Sequence, residues 1–198
     1  MACFKFSLVV LALLAATVTD VSGTPLELRQ TSNSTSSGGG CNPNVMGAGV
    51  SIVNTGNSKL EWGVASSPPA VNDQLVSKSF RGLSAPDWHV QQNGQVIPGY
   101  IIKDVDNNNL AVTLQQKKKI ELGTSSDSGT AVDQLWSITC KTCSPDALKG
   151  PEVVVGDECT ISPQSAENLC VEIGSRASAP LSLETCNGRA RQSFKIET

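Results

Sequence analysis

Apolar residues in this chain alternate with polar ones or gather in short runs, and neither pattern lasts long enough for a helix. Val50-Ser51-Ile52-Val53, Tyr100-Ile101-Ile102 and Glu152-Val153-Val154-Val155 are such runs. Clusters of Asn, Gly, Pro and Ser cut them at short intervals: Asn54-Thr55-Gly56-Asn57, Gln92-Asn93-Gly94, Asp106-Asn107-Asn108-Asn109 and Asn187-Gly188. Asn and Gly tolerate left-handed backbone, and Asn bonds its own turn, so these clusters punctuate strands. The pattern predicts an all-β barrel or sandwich.

The strands echo one another. Pro86-Asp87-Trp88-His89-Val90, Gln134-Leu135-Trp136-Ser137-Ile138 and Gln192-Ser193-Phe194-Lys195-Ile196 each place an aromatic two residues after Gln or its substitute, with an aliphatic residue two further on. The spacing is about 50 residues, in the range of repeat architectures. Upstream, Asn57-Ser58-Lys59-Leu60-Glu61-Trp62, Asn109-Leu110-Ala111-Val112-Thr113-Leu114 and Asn168-Leu169-Cys170-Val171-Glu172-Ile173 overlay without gaps. Asp73-Gln74-Leu75-Val76, Ile120-Glu121-Leu122-Gly123 and Leu181-Ser182-Leu183-Glu184 match in part. Three units of about four strands suit a closed barrel, which removes exposed sheet edges.

The N-terminus points to where the chain works. Lys5 precedes a nearly unbroken apolar stretch over residues 6–18, followed by small residues at Val21-Ser22-Gly23. That stretch is shorter than the ~20 residues a membrane helix needs, so residues 1–23 read as a signal peptide and the product as secreted and extracellular. Residues 24–40 are rich in Ser, Thr, Asn and Gly and read as a flexible arm, with Asn33-Ser34-Thr35 as an N-glycosylation sequon. Residues 41–198 remain as one folded domain.

Charge excludes little but narrows the partners. Lys5 and Asp20 leave with the signal, so the formal charge stays at −3. A mildly acidic chain without a basic face argues against nucleic acid, and no further apolar run suggests a membrane span. Lys117-Lys118-Lys119, the single basic run, reads as a solvated turn before a strand at Ile120.

Cys3 lies in the signal, leaving Cys41, Cys140, Cys143, Cys159, Cys170 and Cys186. An even count in a secreted chain reads as three disulfides. Cys170 and Cys186 flank two strands of the third unit, and pairing them staples that unit to itself. The pairing of the other four is left open. Cys140-Lys141-Thr142-Cys143 has redox spacing but no βαβ surroundings, and four of the thiols as zinc ligands fit the spacing poorly.

The third unit carries a family resemblance. Cys170-Val171-Glu172-Ile173, an alternating strand, Cys186-Asn187-Gly188 and Gln192-Ser193-Phe194 together resemble a ricin B-type lectin repeat. The second unit keeps Gln134-Leu135-Trp136; the first keeps Trp88 but has Pro86 in place of Gln. The resemblance covers residues 47–198 and implies a β-trefoil, three pseudo-repeats closing at Trp88, Trp136 and Phe194. Those aromatics are then core plugs, and Trp62 is read as core too; Tyr100 and Phe80 are open.

In that family an Asp, a ring and an Asn of each repeat hold the sugar: the carboxylate bridges two hydroxyls while the ring packs on the sugar's apolar face. By position the Asp places fall on Glu61, Thr113 and Glu172, the ring places on Val76, Gly123 and Glu184, and the Asn places on Ala85, Asp133 and Arg191. No repeat keeps all three groups and none keeps the ring, so galactose-type sites are expected to be eroded. The third repeat is least eroded, with Glu172, Glu184, Asn187 and Arg191 as the candidate ligand-binding residues; Glu184 and Arg191 pairing with each other is the competing expectation.

No nucleophile motif occurs, and the single histidine, His89, follows a core aromatic, so no enzyme is expected. No cofactor or metal is implied. The expectation is a monomeric, non-catalytic binder of a glycan or glycoprotein. The alternative is a protein-binding trefoil, such as a secreted protease inhibitor or host-interaction protein. It would present a loop such as 66–70, 123–130 or 144–151.

Overall fold

Each apolar run bounded by turn residues forms a strand in the computed structural model, which describes residues 39–82, 86–93, 99–146 and 153–198. The signal segment, Asn33, Ala85 and most of the 24–40 arm lie outside the described residues, as does part of the 144–151 loop. The strands are β1 Gly49–Asn54, β2 Leu60–Val64, β3 Leu75–Ser79, β4 Trp88–Asn93, β5 Gly99–Asp104, β6 Leu110–Gln115 and β7 Lys119–Thr124. They continue with β8 Trp136–Thr139, β9 Thr142–Cys143, β10 Val154–Pro163, β11 Leu169–Glu172, β12 Ser182–Thr185 and β13 Phe194–Glu197. Helical structure among the described residues is confined to short 3-10 turns.

Six strands close on themselves. β1 pairs β4, β4 pairs β5, β5 pairs β8, β8 pairs β10, β10 pairs β13, and β13 returns to β1, all antiparallel. A closed ring has no free edge for another chain to extend. Hairpins β2–β3, β6–β7 and β11–β12 lie outside this ring. They bond to one another: Leu122 N–H donates to Asp73 O at 2.8 Å, and Leu181 N–H to Leu75 O at 3.0 Å. A six-stranded barrel with three associated hairpins is consistent with a β-trefoil.

The aromatics fill the centre. Trp62, Trp88, Trp136 and Phe194 are fully buried, and Tyr100 nearly so. A buried indole N–H is costly without a partner; Trp62 Nε1 has none among the described residues, whereas the two closing Trp residues each have one. Trp136 donates to Val112 O at 3.0 Å and Trp88 to Trp62 O at 3.2 Å, so each closing Trp also pins a hairpin strand. Trp62 stacks edge-on against Phe194 at 5.5 Å. Tyr100, open on sequence grounds, is a core residue whose O–H donates to Pro43 O at 2.7 Å. Phe80 is half-buried.

The disulfides are Cys41–Cys143, Cys140–Cys159 and Cys170–Cys186. The two cysteines of the C-x-x-C segment therefore belong to different bridges. Cys41 also exchanges backbone hydrogen bonds of 2.8 Å with Cys140, and Val45 reaches the core. The segment before β1 is thus fastened to the barrel rather than trailing from it. Gly156 sits where no side chain fits, since an added Cβ would lie 2.7 Å from Cys140 Sγ and 2.8 Å from Cys159 Sγ. Lys117, Lys118 and Lys119 are exposed at the turn entering β7.

Candidate functional site

The third-repeat residues converge on one face of the β11–β12 hairpin. Cys170 lies opposite Glu184 and Glu172 opposite Ser182, so the four share a face. Glu172 is buried, at 4% exposure. One of its oxygens pairs with the Arg191 guanidinium, and the other accepts from Gln192 Nε2 at 3.2 Å. Arg191 therefore pairs with Glu172, not with Glu184. Glu184 is exposed and forms no ion pair among the described residues. Asn187 is exposed at the following turn; its N–H donates to Gln192 Oε1 at 3.0 Å, and its Oδ1 accepts from Arg189 N–H at 3.0 Å.

This geometry gives the Gln of the Gln-x-aromatic motif a mechanical role. A 3-10 turn, Ala190–Gln192, aims Gln192 inward, where Nε2 also donates to Thr185 O at 3.1 Å. Gln134 does the same from the turn Val132–Gln134: it donates to Thr124 O at 2.7 Å and Thr113 Oγ1 at 3.2 Å, and accepts from Ser126 N–H at 2.9 Å. Each glutamine bolts the trailing end of a hairpin to the turn that enters the next barrel strand. Glu172 and Thr113, both at Asp places, serve as acceptors for these bolts.

The first repeat needs a corrected register. The gapless overlay set Asn57 against Asn109, but Asn107 is its counterpart. Asn57 N–H donates to Asn54 Oδ1 at 2.8 Å, and Asn107 N–H to Asp104 Oδ1 at 2.9 Å. Val53 pairs with Glu61 as Lys103 pairs with Ala111, which fixes the same frame. Glu61 thus matches Ala111, and Gly63 occupies the Asp place beside Thr113 and Glu172. Likewise Lys78, opposite Glu61, takes the ring place assigned to Val76, as Gly123 does opposite Ala111 and Glu184 opposite Cys170. The run of three asparagines at 107–109 makes the two frames alike in sequence.

Glu61 is instead a buried acid with a structural load. It is fully buried; Oε1 accepts from Arg81 N–H at 3.2 Å and faces the Arg81 guanidinium at 3.6 Å, while Oε2 has no hydrogen-bond partner. Arg81 also pairs with Asp87. Burial, reinforced by the Asp87 charge, raises the Glu61 pKa from 4.5 to about 7. Between these values the unfolded chain has released the proton and the folded one retains it, so stability falls as pH rises. The loss amounts to about 3 kcal/mol across that window, at 1.36 kcal/mol per pKa unit. Urea midpoints measured at pH 5 and 7.5 are expected to show this decline, and Glu61→Gln to flatten it.

Two grooves lie on the barrel wall, the second bordering the hairpin face at Cys170. One, of about 500 Å3, is lined by Asn44, Met46, His89, Gln91, Lys103 and Asn108, among others. His89 Nδ1 donates to Asn108 Oδ1 at 2.8 Å. Lys103 pairs with Asp127, an exposed residue whose carboxyl is held below its ordinary range chiefly by hydrogen bonding to that lysine. The other groove, of about 470 Å3, is lined by Asn42, Ser137, Thr139, Thr160, Ser162 and Glu167 beside the Cys170–Cys186 bridge. Sequence reasoning missed both. The available signal was the polar residues alternating with the closing aromatics: His89 and Gln91 after Trp88, Ser137 and Thr139 after Trp136.

No protein-family model and no curated protein matches the sequence. Solved structures do match. A designed three-fold symmetric protein, ThreeFoil, aligns with a TM-score of 0.57 at 9% identity over 75% of this chain and 97% of its own. The C-terminal half of an earthworm R-type lectin, solved with GalNAc, aligns with a TM-score of 0.52 at 18% identity, over 76% of this chain and 98% of that one. A mosquitocidal holotoxin gives 0.58 at 15% identity over 76% of this chain, which spans only 17% of the toxin's length. At these identities the likeness is one of fold: a β-trefoil of the kind seen in an R-type lectin.

Proposed function

We propose that this chain is a secreted, non-catalytic, carbohydrate-binding protein of ricin B-like type whose galactose-type sites are eroded. In this reading three pseudo-repeats of four strands close at Trp88, Trp136 and Phe194, and the product is a monomer glycosylated at Asn33. The observation that carries it is the third-repeat hairpin face. Exposed Glu184 and Asn187 and the half-exposed Arg191 offer polar groups there, on a fold shared with a lectin solved with GalNAc. The erosion follows from the same place: both Glu172 oxygens are engaged within the protein, and no ring supplies a stacking platform. Three disulfides fit an oxidising, extracellular setting. Among the described residues, no helix is long and apolar enough to cross a membrane.

Capture on a glycoprotein-coated surface, before and after enzymatic removal of the glycans, tests the reading. The full chain is expected to bind the intact glycoprotein and to lose binding after deglycosylation. Glu184→Ala is expected to weaken capture several-fold without a change in thermal midpoint, since that carboxylate supports no ion pair. Capture that survives deglycosylation would contradict the carbohydrate reading and favour a protein-binding trefoil.

A further inference from the structure

The two grooves occupy the same place in the fold. At the β4–β5 junction His89 lies opposite Lys103 and Gln91 opposite Ile101. At the β8–β10 junction Ser137 lies opposite Ser162 and Thr139 opposite Thr160. At the β13–β1 junction Lys195 lies opposite Val53 and Glu197 opposite Ser51. In each, the first position follows the closing aromatic, so these are the outward positions of one repeated junction. Their chemistries differ. The third is closed by its own Lys195–Glu197 pair. The second is lined with hydroxyls and Glu167. The first carries a lysine, a histidine and several amides, with no carboxylate among its described lining residues.

We propose that the β4–β5 groove binds a sugar carboxylate, as on a uronic or sialic acid residue. This rests on the carbohydrate reading above and adds a second site, on the barrel wall, to the hairpin face. Its volume of about 500 Å3 falls within the range of small-molecule sites. The Lys103 side chain is 10% exposed, whereas its partner Asp127 is 68% exposed. The ammonium has three donors, and one exposed surface carboxylate is a replaceable partner. The 2.8 Å bond to Asn108 orients the His89 ring at the rim. Asn44 and Gln91 can both donate to and accept from hydroxyls. Met46, at 55% exposure, gives an apolar wall for the C–H face of a sugar ring and explains a large hydrophobic side chain left in solvent.

Titration of the isotopically labelled full chain, disulfides intact, with methyl glucuronide and with methyl glucoside isolates the carboxylate. Only the acid is expected to shift the amide signals of Gln91, Lys103 and Asn108. Gln91→Ala and Lys103→Met are expected to weaken it about 10-fold each, the size of one lost charge-assisted or well-placed hydrogen bond. Asp127→Ala is expected to strengthen binding several-fold, because it removes the competing carboxylate; a purely structural role for Lys103 predicts no gain. Lys117→Ala is expected to change nothing. Equal response to both sugars, shifts centred on residues 117–119, or no shift with the acid would each overturn the groove assignment. Deglycosylation-sensitive capture would still stand in those cases, so failure of the groove is distinguishable from failure of the lectin reading.

Discussion

Removing the Cys41–Cys143 bridge by a double Ser substitution is expected to cost about 4–5 kcal/mol, the chain-entropy value for a loop of roughly 100 residues. The bridge spans 102 residues. Cys140–Cys159 does not shorten that path, because the chain from 41 reaches 143 without passing beyond 159. The native state also loses its grip on the segment before β1. Tyr100 O–H bonds Pro43 O there, and Asn42 Nδ2 donates to Ile138 O at 2.8 Å. Denaturant unfolding of the double variant against the parent measures the difference. Opening Cys170–Cys186, which spans 16 residues, is expected to cost less, about 3 kcal/mol. A loss below about 1 kcal/mol for the long bridge would mean that the segment before β1 contributes little to the fold.

Gln192→Leu is expected to cost about 3–5 kcal/mol. Leu fills the space but leaves Thr185 O, Asn187 N–H and one Glu172 oxygen without their partner. Each buried polar group left unpaired costs about 1–3 kcal/mol, with water recovering part where the turn is exposed. In a domain of this size the thermal midpoint should fall by about 10 °C. Gln134→Leu should behave alike, since Thr113, Thr124 and Ser126 depend on it in the same way. Thermal melts followed by circular dichroism check both. A shift below about 2 °C would remove the mechanical role assigned to these glutamines.

The repeat-closing aromatics were legible because burial and alternation leave a periodic mark: Trp88, Trp136 and Phe194 each begin a barrel strand and point inward. The pairing of Cys170 with Cys186 was readable because both flank one hairpin. Cys41–Cys143 was not, because no local pattern links an arm to a loop two repeats away. The register of the first repeat is hidden in the sequence for a physical reason. Asn at 107, 108 and 109 are chemically equal in sequence, and the bond from Asn107 N–H to Asp104 Oδ1 and the pairing of Lys103 with Ala111 tell them apart. The burial of Glu172 was also invisible, since its partners Arg191 and Gln192 meet it only through the 3-10 turn before β13. The grooves belong to the same class. They arise where one repeat's last strand meets the next repeat's first, a juxtaposition set by barrel closure rather than by neighbouring residues.

A glycan array probed with the full chain, its disulfides intact, decides whether this trefoil binds sugar. Discrete binding is expected, with glycans ending in acidic sugars among the bound set and plain terminal galactose weak or absent. A blank array from protein whose thermal melt shows a cooperatively folded domain would contradict it, and would leave a β-trefoil that recognises something other than sugar.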